Sequence, residues 1–188
     1  MKATDALKAE HRRILLFADV IEGLCDALER GDHPVPAQHL GWVLDFVAQY
    51  TDTVHHEKEE EVLFPRMKRA GLGPVDTLVA SALEDHRTGR EQVRNMHEAL
   101  RWHQAGVAPA AAAFSRHART YMYLLRHHIA VEDTVIFPKA DEILSNAVQE
   151  DLAADCDALE EDRLDAGRRE QLFFRLDKLA EVYAAARD

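Results

Sequence analysis

His55-His56-Glu57-Lys58-Glu59-Glu60-Glu61-Val62-Leu63-Phe64-Pro65 returns later in the chain as His128-Ile129-Ala130-Val131-Glu132-Asp133-Thr134-Val135-Ile136-Phe137-Pro138. Each copy holds His-x3-Glu (His55 with Glu59, His128 with Glu132), and each closes on Phe-Pro. On an α-helix, residues four apart lie one turn apart on the same face. Each copy therefore turns one imidazole and one carboxylate the same way, about 6 Å apart along the axis. Such a pair suits a borderline metal such as iron or zinc.

The repeat extends beyond this motif. Glu10-His11 precedes the first copy and Asp85-His86 precedes the second. The spacing is nearly equal, 44 residues from His11 to His55 and 42 from His86 to His128. The chain reads as two related helix pairs, each carrying a His and then His-x3-Glu. Packed together, they predict an all-α fold: an antiparallel up-down four-helix bundle with four His and two Glu available to its interior. Facing helices of a bundle are an established setting for metal sites.

Breaks and periodicity place the helices at about 5–30, 37–70, 75–104 and 109–143. The punctuation is Gly31-Asp32-His33-Pro34-Val35-Pro36, Gly71-Leu72-Gly73-Pro74 and Gly106 to Pro109. The apolar stripes include Leu7, His11, Leu15, Ala18 and Glu22 in the first helix, and Leu40, Leu44, Ala48 and His55 in the second. The third carries Val79, Leu83, His86, Arg90, Val93 and His97, and the fourth His117, Tyr121, Leu124, His128, Glu132 and Val135. Both His-x3-Glu motifs thus fall on the apolar face, where a solvated ion-pair stripe would not lie. Pro65 should kink its helix or mark its last turns. Ser145 can cap a helix at about 146–160, and an amphipathic helix at about 166–186 aligns Leu172, Leu176, Leu179 and Val182 or Tyr183. Residues 1–144 form the bundle in this reading. Residues 145–188 form a helical extension expected to pack on it, the alternative being a homodimer or partner surface.

Composition narrows the function. With 23 Lys and Arg against 34 Asp and Glu, the net charge of −11 argues against nucleic acid. No apolar run of about 18 residues is present, so no membrane span is expected. No signal peptide is evident. Cys25 and Cys156 stand alone, as in a reducing cytoplasm. With 11 His and 34 acidic residues, a single His-x3-Glu is weak evidence. The joint pattern is far stronger: two copies, one ending, and an acidic-His pair ahead of each. Six inward ligands exceed the needs of one tetrahedral zinc and suit two ions about 3.5–4 Å apart. Spacing alone does not choose the metal.

At these residues the sequence resembles the hemerythrin-like, or HHE cation-binding, family. The likeness rests on Glu10-His11, the 55–65 stretch, Asp85-His86 and the 128–138 stretch, and covers about residues 5–143. It implies two non-haem iron ions bridged by carboxylates and by oxo or hydroxo groups. His11 and His55 would serve one iron, His86 and His128 the other, and Glu59 and Glu132 would bridge. The other bundle di-iron group, the ferritin-like one, uses Glu-x-x-His, a spacing absent around these histidines. True hemerythrins carry a further His one turn after the third-helix ligand. That position is Arg90 here, and arginine cannot ligate. Four rather than five histidines leave an extra coordination position, which argues against simple O2 carriage. The family likeness then implies a protein that binds iron and reacts with O2 or peroxide, in a catalase-like or other redox role. The alternative is a non-catalytic sensor of O2, nitric oxide or iron, or an iron store. A purely structural bundle would make all six positions coincidental.

Neighbouring residues are weighed on the α-helical period. His56 and His127 stand one residue from ligands, a rotation of about 100°, and should face away. Glu60 and Asp133 have the same offset and suit solvated or supporting positions, and Glu10 and Asp85 are candidate partners for the other N–H of a metal-bound imidazole. Arg90 is expected either in solvent or on a bridging carboxylate. Tyr121 is expected in the core, with a phenol lining a small-molecule channel as the alternative. His97 and His117 are expected as a structural pair.

Overall fold

A proline has no N–H to donate, and its ring crowds the carbonyl four residues back. Pro65 nevertheless does not end its helix. The computed structural model, which describes residues 2–31, 34–107 and 109–184, shows why. The second helix, α2 (residues 37–70), starts as Ala37–Phe46 and then winds through wider π-helical turns at Val47–His56 and Lys58–Leu63. It closes as Phe64–Ala70. Phe64 N–H donates to the Glu59 carbonyl, five residues back, and Thr53 Oγ1 donates to the Ala48 carbonyl at 2.7 Å. The wider turns absorb the misfit, so that Pro65 sits in the first turn of an α-segment, where no N–H is required. The fourth helix, α4 (residues 110–143), repeats the device. Its Ala110–Val131 segment passes through π turns at Glu132–Ile136 into Phe137–Ile143, with Pro138 in the first turn of that last segment.

With α1 (Ala3–Arg30) and α3 (Asp76–Gln104), these make the up-down four-helix bundle. Gly31, at φ 64°, terminates α1 in the left-handed conformation that glycine tolerates. Asp32, His33 and Ala108 of the expected breaks lie outside the described residues, as do residues 185–186 of the expected last helix. Among the described residues there is no strand, and no helix is long and apolar enough to cross a membrane.

The interior has three layers. One apolar cluster is built from Ile14, Phe17, Ile21, Phe46, Met96, Phe114 and their neighbours. A second is built from Leu7, Leu63, Met67, Val79, Phe137 and Ala140. In α1, α2 and α3 the inward histidine falls between the residues given to one cluster and those given to the other, and in α4 His128 lies at the edge of the first cluster, one residue before Ile129. Two expected core positions lie outside instead: Leu83 is 42% exposed and Val135 is 39% exposed. In α3 the buried set runs Val79, Ala82, His86, Gly89, which leaves Leu83 off the stripe. In α4 the π turns rotate Ile136 inward in place of Val135.

The extension is α5 (Asn146–Arg163), capped by Ser145, and α6 (Ala166–Tyr183), capped by Asp165. Helix α6 lies along α1 and the start of α2, and adds Leu172, Leu176, Leu179 and Tyr183 to the first cluster. Helix α5 rests on the π turns of α2, and adds Leu152 and Cys156 to the second. The close approach of α6 to α1 needs Gly23: a Cβ there would stand 1.9 Å from the Tyr183 carbonyl oxygen. Gly23→Ala should therefore cost about 1–3 kcal/mol through overpacking. Gly41→Ala, with nothing within 4 Å of its Cβ, should be neutral or stabilising by up to about 1 kcal/mol. Thermal unfolding of the two variants beside the parent checks the contrast.

Candidate metal centre

The polar layer collects all six residues singled out by the repeat. His11, His55, Glu59, His86, His128 and Glu132 are all buried, at 3% exposure or less. Glu59 and Glu132 lie between two histidine pairs. Glu59 Oε1 is 3.5 Å from His55 Nε2 and 4.0 Å from His11 Nε2, while its Oε2 is 3.4 Å from His86 Nε2. Glu132 Oε2 is 3.3 Å from His11 Nε2 and 3.1 Å from His128 Nε2. Two overlapping groups result: His11, His55, Glu59 and Glu132, and Glu59, His86, His128 and Glu132. Within each, one ligand atom per residue lies within 4.8 Å of all the others.

Most of these atoms lack the partners that burial normally demands. His11 Nε2, His55 Nε2 and both oxygens of Glu59 and of Glu132 have no hydrogen bond. His86 Nε2 and His128 Nε2 lie 3.0 Å apart, a contact that is a hydrogen bond only if one of the two rings is protonated. A buried polar group without a partner costs about 1–3 kcal/mol, and more if charged. Cations placed among these atoms would supply the missing partners, so donor chemistry and burial both fit a metal centre.

The outer nitrogens are held. His11 Nδ1 donates to Asp133 at 2.8 Å, His55 Nδ1 to Glu10 at 2.8 Å and His86 Nδ1 to Glu60 at 2.7 Å. His128 Nδ1 lies 3.7 Å from Asp85. Each carboxylate is the sequence neighbour of an inward residue on another helix, which explains why the acidic-His and Glu-acidic pairs recur. Carboxylates at Nδ1 fix the tautomer and aim Nε2 inward. The repeated Phe also acquires a role. Phe137 stacks on His11, with centroids 5.2 Å apart and planes 11° apart, and Phe64 stacks on His86 at 6.5 Å and 18°.

The electrostatics follow from this crowding. Burial opposes protonation of His11, but Asp133, Glu132 and Glu59 outweigh it and lift its pKa to about 9. His128 is lifted to about 10 in the same way, against burial, by Glu132, Asp85 and Glu59. Burial raises the Glu132 pKa, but His128 and His11 outweigh it and hold the carboxyl well below the usual range. The layer thus favours positive charge. Its carboxylates (Glu10, Glu59, Glu60, Asp85, Glu132 and Asp133) outnumber the neighbouring cations Lys58 and Arg90, which are themselves shared with Glu160 and Asp52, so negative charge is in excess around neutral imidazoles.

Several residues differ from the α-helical expectation. His127 is exposed as expected, whereas His56 is buried at 4% exposure and stacks on His86 at 3.9 Å. The π turns through Val47–His56 carry more residues per turn, so consecutive histidines can both face inward. Lys58 is buried as well, its Nζ bound to Glu10 Oε1 at 2.6 Å and to Glu160 of α5. Arg90 is half-buried, at 34% side-chain exposure, and does not meet a bridging carboxylate. It donates to Asp52 and to Glu60, both at 2.7 Å, and Glu60 is the carboxylate that holds His86. His117 bonds Gln92 at 2.9 Å and His97 is exposed, so the expected pair does not form. Tyr121 is buried at 2% exposure and, with Asp52, His56, His86, Gly89 and Arg90, lines a cavity of about 240 Å³. The cues for His56 and Lys58 were slight, a doubled histidine and a lysine inside a helix that later meets a proline.

Residues 2–140 match the family model of the Hemerythrin HHE cation binding domain. The chain belongs to this family. It is also similar to the uncharacterized protein Rv1995 of Mycobacterium tuberculosis and the uncharacterized protein Mb2018 of Mycobacterium bovis. Each is 24% identical over 155 residues, which cover 80% of this chain. The match spans 58% of the length of these relatives. No solved structure matches significantly. A hemerythrin HHE domain thus places its clustered His and Glu side chains where cations can be held. Removing a carboxylate that orients an imidazole should weaken metal binding without emptying the bundle. Asp133→Asn and Glu60→Gln should each lower metal affinity about 10- to 100-fold, read by competition against a coloured chelator.

Proposed function

We propose that the centre holds two iron ions and exchanges electrons with a small oxidant, O2 or peroxide. His11 and His55 would serve one ion, His86 and His128 the other, and Glu59 and Glu132 would be shared. The observation that carries this reading is the set of buried Nε2 and carboxylate oxygen atoms left without hydrogen bonds. Two bound ions would satisfy them together, whereas a structural role would leave them as a standing cost. Iron, when bound, supplies the redox couple. The chain's own contribution is to hold the imidazoles at Nδ1, to neutralise the ionic charge with carboxylates and to keep bulk water away.

The cavity beside His56 and His86 supports reaction with a small molecule rather than closed storage. At about 240 Å³ it has room for a diatomic or peroxide, and Arg90 and Arg94 line it. Nitric oxide would fit the same space. A sensor or store using the same ions is the competing reading, and turnover separates the two.

Protein grown with iron should carry about two ions per chain, the number suited to a bridged pair. Added peroxide should be consumed with release of O2; consumption no faster than by free iron would favour the sensor or store. His55→Ala and Glu132→Ala should lose metal while far-ultraviolet circular dichroism stays helical. Full metal retention in both variants would overturn the assignment.

A further inference from the structure

We infer that His56 is a third imidazole ligand to the ion held by His86 and His128, which makes the centre asymmetric. The inference rests on the di-iron reading above and adds a residue to it. One ring nitrogen of His56 lies with those of His86 and His128 in a cluster whose ligand atoms are all within 4.8 Å of one another. Like the other four histidines it has a carboxylate near Nδ1, here from its own helix. Its Nδ1 lies 3.5 Å from Asp52, one turn back, as His128 Nδ1 lies 3.7 Å from Asp85. Asp52 is itself held by Arg90 at 2.7 Å. Both ring nitrogens of His56 are buried and make no hydrogen bond.

The bland account is that His56 only fills space by stacking on His86 at 3.9 Å and 16°. Stacking needs no ring nitrogen, and an apolar ring would stack without stranding two polar atoms. The second copy of the repeat makes the point: the residue after His128 is Ile129, buried at 2% exposure. One end of the polar layer thus carries a hydrocarbon where the other carries an imidazole. An ion near His11 and His55 would keep two histidines, whereas one near His86 and His128 would have three and would adjoin the cavity. Arg90 occupies the third-helix position from which a fifth histidine could have come, and the π turns of α2 deliver one from a different helix.

His56→Phe keeps a stacking ring and removes the lone pair, while His56→Ala opens a gap onto the adjoining cavity. Ferrous iron is titrated anaerobically into the metal-free parent and both variants, with chelator competition and iron-edge absorption spectroscopy as readouts. The expected result is two ions in the parent and a loss of about tenfold or more in affinity for one of the two ions in both variants. Imidazole scattering per iron should fall, and free imidazole should restore the parent spectrum to His56→Ala but not to His56→Phe. Parent-like affinity and spectrum in either variant would overturn the role of His56 alone. So would a His56→Ala defect that imidazole fails to mend, and the alanine variant decides the matter if the phenylalanine one does not fold. A parent that binds fewer than two ions would overturn the di-iron reading, and this inference with it.

Discussion

The structure depends on one recurring contact, a carboxylate on the outer nitrogen of a buried imidazole. Four inward histidines have such a partner, and in every case it comes from a different helix. The contact does several things together. It stitches α1 to α2 and α4, and α3 to α2 and α4. It selects the tautomer that points Nε2 at the centre of the bundle. It also spreads negative charge around a layer that would otherwise strand polar atoms between two hydrocarbon clusters. Fold and cation binding are therefore not separate problems here, because the groups that locate the ligands also cross-link the helices.

The internal repeat gives this scheme an approximate twofold character. Asp133 serves His11 as Glu60 serves His86, and Glu10 serves His55 as Asp85 serves His128. Phe137 and Phe64 obey the same relation, each covering a histidine of another helix. The departures are concentrated in α2. Its π-helical run is longer than that of α4 and starts ahead of the histidines rather than after them. His56 and Lys58 are buried there as polar residues, where the second half places Ile129, also buried, and Val131, partly buried. π turns are often found where function demands a side chain that the regular helix cannot present.

Much of this arrangement was legible in the sequence. The repeat located the bundle, and the His-x3-Glu spacing put the imidazole and carboxylate of each motif on one face. The acidic residues beside His11 and His86 were visible as partners because a neighbour on a helix points towards the adjoining helix. What could not be read depends on quantities other than period. A 3.6-residue rule sends His56 outward, yet it is buried, as is Ile129 after His128, because neighbouring helices cover both positions. It also puts Val135 inside, where Ile136 is found. Arg90 and Lys58 have long side chains whose partners are chosen by packing between helices, so Asp52, Glu60 and Glu160 could not be matched to them from spacing.

The last two helices reach the chemistry by a single charged path. Glu160 on α5 grips Lys58, Lys58 grips Glu10, and Glu10 holds the outer nitrogen of His55. Lys58 is 3% exposed, so little solvent screens this chain of charges. A change of charge at Glu160 would alter how Lys58 is shared with Glu10, and with it the field that Glu10 exerts on His55. The appendage is in this sense a tuning arm, through which events on the outer surface can adjust the electron-donating strength of a buried imidazole.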